Sequence, residues 1–370
     1  MMQTYKKSVI ILFFSFLIFP VLSFPFVKNG TDDTTFENRT LAEKPEFNWE
    51  TLDTYPTQFE AYFNDHLPYK SQLVGFYQSA NYRLFHEIPT NKVSLGKDNW
   101  LFYLGEPEED PIADYQGTNL FTAEELKLIK SNLKKAAAYF EERGIEFILM
   151  VAPNKEQIYS EKMSNAYKII NENKRYDLLI SYLKANSDIR IIDPKEELLK
   201  EKENYQVYYQ YDSHWNKLGA FIAAQQLRQE LQGERDYLSE KSIKREEQIS
   251  EDLVAMTNLP QYFDDDFDDV ITDYQSDVST ELLEKSDDNF LIKYRSDAKD
   301  QRRLFIIRDS FGEGLIDYLS KDFAHTTFLH RNAYHINYVN EDHPDILVYE
   351  VVERNLDLLK EDGVNLISNE

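Results

Sequence analysis

The 370-residue sequence contains no cysteine. Disulfide staples are therefore excluded, and an exported chain of this kind must draw its stability from a packed core. Basic residues are few beside acidic ones, 41 Lys and Arg against 66 Asp and Glu, giving a formal net charge of −25. A nucleic-acid partner is disfavoured, because phosphate binding relies on Lys and Arg. The charge fits a solvated surface outside a cell, and solubility alone accounts for it. Such a surface repels anionic polymers unless the site itself is neutral or basic. No internal repeat is found. The acidic run at 263–269 lacks the glycine turn of a calcium loop and reads as a solvated loop.

What is present begins at the N-terminus. Lys6 and Lys7 precede residues 9–27, a run without charge. Its length is about that needed to cross a bilayer core, ~20 residues. No small-x-small cleavage site follows, so an uncleaved signal-anchor with its lysines on the cytoplasmic side is expected. A cleaved signal peptide is the alternative, and both place the remainder outside the cytoplasm. Residues 28–50 read as a polar, proline-containing linker. Residues 51–370 are expected to form one large domain, with an acidic insertion over 233–300 that carries irregular structure and a few strands. The 42% hydrophobic and 14% aromatic content argues against disorder.

Aromatics and leucines at helical spacing over 56–86 predict one or two helices divided near Pro68. Gly96-Lys97-Asp98-Asn99 between two apolar runs predicts a hairpin. Thr122 and Glu125 form a capping box for a helix that ends at Arg143-Gly144, and a buried strand follows over 145–151. The alternation recurs: helix 174–186, strand 189–192, helix 216–231, strand 303–307, helix 311–320, strand 325–329, strand 346–349 and a helix from Glu353. The pattern predicts an α/β fold with a central parallel sheet flanked by helices.

Two short motifs carry the chemistry. Asp212-Ser213-His214-Trp215 places a carboxylate two residues before a histidine. Ser310 follows Arg308-Asp309 at the exit of the apolar strand and precedes Phe311-Gly312-Glu313-Gly314. Serine as nucleophile, histidine as base and aspartate as the group that orients the ring make a triad for acyl transfer. Functional groups in open α/β sheets gather at the carboxyl ends of strands, where Ser310 is expected. Ser310 also suits the N-cap of a following helix, whose N–H groups could face an oxyanion. His214 equally suits a surface position at a capped helix start. Tyr208, Tyr209 and Tyr211 flank the motif and offer faces for sugar stacking, or simple packing.

These residues resemble the alginate O-acetyltransferase-type SGNH-hydrolase-like family, also called DHHW proteins. Further blocks agree in order: Glu37-Asn38-Arg39-Thr40-Leu41-Ala42, Phe63-Asn64-Asp65-His66-Leu67-Pro68, Gly96-Lys97-Asp98-Asn99-Trp100, Ala152-Pro153-Asn154-Lys155 and Glu353-Arg354. The resemblance spans about residues 36–360. It implies an SGNH-like fold with a circularly permuted motif order, Asp-x-His ahead of serine. It implies an O-acetyltransferase for an exported or cell-envelope polysaccharide, with Ser310 as nucleophile, His214 as base and Asp212 as orienting acid. Lys155, Tyr211, Trp215, Arg308 and Arg354 are expected to bind substrate, although Lys155 equally suits a solvent-facing position. No cofactor or metal is expected. A membrane-bound O-acyltransferase would supply the acetyl group. The carbohydrate-binding module of one family branch is not seen, so capture is expected from the domain's own groove or a partner. A carbohydrate acetylesterase with the same triad, and a non-catalytic glycan- or transferase-binding assembly protein, are the alternatives.

Overall fold

Five consecutive strands of the main sheet run parallel because continuous apolar runs let both of their faces be covered. A computed structural model of the chain describes residues 2–24, 41–49, 52–106, 109–247, 252–263, 267–361 and 365–368. Among the described residues there are eleven strands: β1 (Val93–Leu95), β2 (Leu101–Tyr103), β3 (Glu146–Ala152), β4 (Arg190–Ile192), β5 (Ile243–Glu247), β6 (Phe267–Ile271), β7 (Thr280–Lys285), β8 (Leu291–Ser296), β9 (Asp300–Arg308), β10 (Phe323–His330) and β11 (Ile346–Val352). The main sheet has the order β4-β3-β11-β9-β10-β8-β7, parallel from β4 to β10 and antiparallel at β10-β8 and β8-β7.

Side chains alternate across the sheet and feed two cores. Ile148, Met150, Leu304, Ile306 and Val348 pack on one face with the helix Lys217–Gln232. Phe147, Leu149, Val151, Phe305, Ile307 and Leu347 pack on the other, with the helices Ala123–Glu141 and Arg175–Asn186. The capping box at Thr122 and Glu125 is present, with both reciprocal hydrogen bonds formed. β1 and β2 pair antiparallel as the Gly96–Asn99 turn predicts.

The chain divides into two compact units. The first comprises Met1–Thr90 with Ala255–Tyr262, and the second Asn91–Val254 with Phe263–Glu370. In the first, a helix runs over Met2–Ser23, and its Lys6–Ser23 stretch is long and apolar enough to cross a membrane. Two further helices, Tyr55–Asp65 and Lys70–Phe85, flank Pro68 as the spacing suggests. The main sheet lies in the second unit, which starts at Asn91. The helix Tyr55–Asp65 buries none of its side chains. Most of the linker expected at 28–50 lies outside the described residues.

The strands β5 to β8 lie in the stretch 233–300. β5 and β6 pair as a two-stranded ribbon, and β7 and β8 extend the main sheet beyond β10. Polar alternation hides β7, which lies exposed at the sheet edge. The sequences at 311–320 and from Glu353 begin as 3₁₀ turns, Phe311–Leu315 and Glu353–Lys360, and only Ile316–Asp322 continues as an α-helix. Short helices at Pro111–Gln116, Lys195–Glu201, Asp252–Thr257 and Ile336–Asp342 were not anticipated.

Candidate active site

β9 delivers Arg308 to the carboxyl edge of the sheet, and Asp309 fixes the turn that follows. Its Oδ1 accepts from the Phe311 N–H at 2.8 Å, and its Oδ2 accepts from the Val352 N–H at 2.8 Å. The Asp309 N–H donates in turn to Glu350 Oε2 at 3.0 Å. Burial, then repulsion from Asp309, pushes the fully buried Glu350 well above the ordinary carboxyl range. Ser310 is thereby clamped to β11, its neighbour in the sheet, rather than left on a free loop. Gly312 packs against Arg308 so closely that a Cβ would meet the Arg308 Cβ at 2.5 Å.

The second motif lies on a narrow turn. Tyr208 and Trp215 form an antiparallel bridge, and the Asn216 N–H donates to the Val207 carbonyl at 3.1 Å. Asp212 and Ser213 occupy the tip. Asn216 then caps the helix Lys217–Gln232, its Oδ1 accepting from the Gly219 N–H at 3.0 Å. Trp215 ties the two motifs together by donating from Nε1 to the Phe311 carbonyl at 2.9 Å.

Three side chains meet there. Asp212 Oδ1 lies 2.6 Å from His214 Nδ1, and His214 Nε2 lies 2.8 Å from Ser310 Oγ. With the proton of the neutral ring on Nδ1, Nε2 is free to accept from the serine hydroxyl. The Asp212 carboxylate also receives the His214 N–H at 2.9 Å and the Asp252 N–H at 3.2 Å. Burial would raise the Asp212 pKa, but His214 and these N–H donors outweigh it and hold the carboxyl below its usual range. Burial would lower the His214 pKa, yet Asp212 and then Asp252 reverse that and raise it.

A cavity of about 540 Å³ opens over Ser310 and His214. Tyr209, Trp215 and Phe311 are among the residues that line it. The Phe311 ring stands 4.8 Å from the imidazole and the Trp215 ring 5.3 Å from Phe311, so the floor is aromatic. Asp212, His214 and Asp252 offer ligand atoms within 4.8 Å of one another, the separation a metal ion would need. Asp252, however, is taken up by Ser213, accepting from its N–H at 2.8 Å and its hydroxyl at 2.6 Å. This set suits hydrogen-bonded proton transfer better than metal ligation.

The remaining expected residues sort by burial. Trp215 lines the cavity. Lys155 does not: it is 1% exposed, and Nζ donates to the carbonyls of Leu101, Gln210 and Asp212 at 2.6, 2.9 and 3.0 Å. It is a buried brace beneath the Asp212 turn, because carbonyls at this loop crossing need a donor that the sheet does not supply. Arg308 is likewise fully buried, donating to the Asp309 and Asn289 carbonyls. Tyr211 packs on Phe263, with ring centroids 5.3 Å apart. Arg354 lies over the rings of Tyr103 and Phe311 at 5.3 and 5.2 Å, behind the aromatic floor. The helix N-terminus expected to receive an oxyanion is a five-residue 3₁₀ turn, and its Phe311 N–H is already committed to Asp309. Sequence reasoning missed Asp252 and Asp268, which look like two acids among many. Only their distance from the motif hides them.

Residues 93–289, more than half of the chain, match the family described as "SGNH hydrolase-like domain, acetyltransferase AlgX". The chain belongs to that family and has its SGNH hydrolase-like fold. Among curated relatives, the "Probable alginate O-acetylase AlgJ" of Pseudomonas aeruginosa is 27% identical over 173 residues, 47% of this chain and 41% of the relative. The protein of that name from Pseudomonas syringae is 28% identical over 168 residues, 45% of this chain and 40% of the relative. The match thus spans about two fifths of the relatives' length. The crystal structure of a DHHW family protein from Eubacterium siraeum superposes with a TM-score of 0.54 at 16% identity, covering 75% of this chain and 97% of that one.

Proposed function

We propose that the protein is an O-acetyltransferase acting on an exported or cell-envelope polysaccharide through an acetyl-Ser310 intermediate. The observation that carries this reading is the hydrogen-bonded chain from Asp212 through His214 to Ser310, open to a cavity. Membership of an acetyltransferase family and the O-acetylase names of its relatives support it.

In the first half-reaction, Ser310 Oγ attacks the acetyl carbonyl of the donor while its proton passes to His214 Nε2. The donor's C–O bond breaks, its oxygen takes the proton back from Nε2, and acetyl-Ser310 remains. In the second, a sugar hydroxyl gives its proton to Nε2 and attacks the acetyl carbon. The bond to Oγ breaks and the proton returns to Ser310. Asp212 keeps the Nδ1 proton in place and stabilises the imidazolium formed in each half. No metal or cofactor enters these steps.

The apolar helix at Lys6–Ser23 would hold the catalytic unit at the outer face of the membrane. There a membrane-bound O-acyltransferase partner would deliver acetyl groups. The domain division we infer is a signal-anchor or signal peptide over 1–27, a linker over 28–50 and a catalytic region over 51–370 with an acidic insertion at 233–300. Incubation with an aryl acetate and a glycan oligomer tests the function. Acetylated oligomer should form with wild type, and Ser310→Ala should abolish it with folding intact. Free acetate as sole product would favour an acetylesterase. Undiminished transfer by Ser310→Ala would sink the mechanism.

A further inference from the structure

The helix Lys70–Phe85 turns its apolar side outward. Leu73, Phe76, Tyr77, Ala80 and Leu84 recur at i, i+3, i+4, i+7 and i+11, so they fall within about a third of the helix circumference. In the surface helix of a soluble protein such a stripe faces the core. Here Phe76 is 69% exposed, Tyr77 57% and Leu84 74%. The packed side is the more polar one. Gln78 is buried, Gln261 Nε2 donates to Ser79 Oγ at 3.4 Å, and the Tyr82 and Tyr262 rings meet with centroids 4.7 Å apart. The helix thus lies against the Pro260–Tyr262 turn and leaves its apolar face open.

Two observations point to what covers that face. The first is continuity with the apolar helix of the same unit. Phe19 stacks on Tyr69, the N-cap of the helix Lys70–Phe85, with ring centroids 5.8 Å and planes 18° apart. Phe24, just past the end of the Lys6–Ser23 stretch, packs on Phe63 at 5.0 Å. The open face therefore starts where the apolar stretch ends, at the level where a spanning chain leaves hydrocarbon for headgroups. The second is charge. In a chain of net charge −25, no Asp or Glu stands between Asp65 and Glu87, and Lys70 and Arg83 lie in that interval. Phe, Tyr and Leu on one face, with cations and no acids, suit a helix lying in a lipid interface. Tyrosine is favoured there, and anionic headgroups attract the cations. A second copy on this face would set cations against cations.

We propose that the face of Leu73, Phe76, Tyr77 and Leu84 rests on lipid at the outer surface of the membrane that Lys6–Ser23 crosses. The first unit then holds the bilayer by an in-plane helix as well as a spanning one. The proposal rests on the reading of Lys6–Ser23 as an anchor.

The absence of native cysteine allows a clean test. The full chain, carrying Phe76→Cys, Leu84→Cys or Gln261→Cys labelled with a polarity-sensitive fluorophore, is reconstituted into vesicles of phosphatidylcholine and phosphatidylglycerol. All three positions are exposed, so the label needs no repacking, and circular dichroism checks the fold. Gln261 lies on the packed side of the helix and serves as the aqueous reference. The labels of Phe76→Cys and Leu84→Cys should emit at shorter wavelength than that of Gln261→Cys. They should also lose most of their emission to spin-labelled lipid, while the reference keeps its own. Emission like the reference at both positions would overturn the proposal. So would a shifted emission that spin-labelled lipid leaves unquenched, because protein would then cover the face. A chain stripped from the vesicles by alkaline carbonate would sink the anchor reading and this proposal together. A chain that resists carbonate with its labels in water sinks the proposal alone.

Discussion

The Asp252 carboxylate stands 3.8 Å from His214 Nδ1, beside the same ring nitrogen that Asp212 holds at 2.6 Å. Two carboxylates therefore face one imidazole, while Arg354 opposes them weakly from behind Phe311. The pair explains why the ring binds its proton more tightly than a free histidine despite burial.

The pH dependence follows with a definite sign. His214 must be neutral to accept the Ser310 proton, and its pKa is raised above 6.5. Activity should therefore fall on acidification from a midpoint above the ordinary histidine value. Asp252→Asn removes one negative neighbour, destabilises the imidazolium and moves that acid limb to lower pH. On the alkaline plateau the variant should lose about tenfold in kcat, because Ser213 loses a charge-assisted bond worth ~1.5 kcal/mol. A pH profile of aryl acetate hydrolysis reads both effects. An acid limb moved to higher pH would contradict the arrangement.

Behind the site a buried ion cluster joins the ends of β3 and β11. Arg175 pairs with Asp114 and, at 2.7 Å, with Asp357, and donates to the carbonyls of Glu353 and Arg354 at 3.1 and 3.0 Å. Asn154 donates from Nδ2 to Asp114 at 2.9 Å and accepts the Arg354 N–H on Oδ1 at 3.2 Å. Arg175→Leu would leave Asp114 buried without its cation, and its loss should cost ~3–5 kcal/mol of stability. Urea unfolding measures this. A loss within error of zero would mean that the cluster is relieved by water.

Much of this was readable before the fold was known, for physical reasons that can be named. Continuous apolar runs such as 346–349 announce parallel strands covered on both faces, and β3, β9 and β11 lie over the runs. Asp212 and His214 come together because the chain bends over 210–214, between the bridged Tyr208 and Trp215, so that Asp212 Oδ1 receives both the His214 N–H and its ring. Lys155 and Arg308 escaped because a charged side chain beside a motif suggests a substrate contact. Only three dimensions show the carbonyls that claim them. Asp252 and Asp268 escaped because contact across about forty or more residues leaves no local period.

Gly314 sets the distance between the two motifs. A Cβ there would meet the Ala220 Cβ at 2.7 Å and Trp215 Nε1 at 3.0 Å. Gly314→Ala should therefore push the Phe311–Leu315 turn off the helix Lys217–Gln232 and weaken the Trp215–Phe311 bond. Overpacking of this size costs ~1–3 kcal/mol, and displacing Ser310 by about 1 Å should lower kcat by ~100-fold. Stopped-flow acetylation with a chromogenic ester checks the rate. A fully active Gly314→Ala would show that the turn yields without moving the serine.

Lys155 separates a brace from a binding group. A substrate-binding lysine replaced by methionine would raise KM and leave stability nearly unchanged. As a brace, Lys155→Met should do the reverse. The Leu101 and Asp212 carbonyls would lose a buried charge-assisted donor, at ~1–3 kcal/mol. The Asp212 turn would then loosen, the Nδ1 contact to His214 would lengthen, and kcat would fall by ~10–100-fold with KM little altered. Thermal unfolding and steady-state kinetics on the same variant distinguish the two roles. Unchanged melting with a raised KM would return Lys155 to the substrate side of the site.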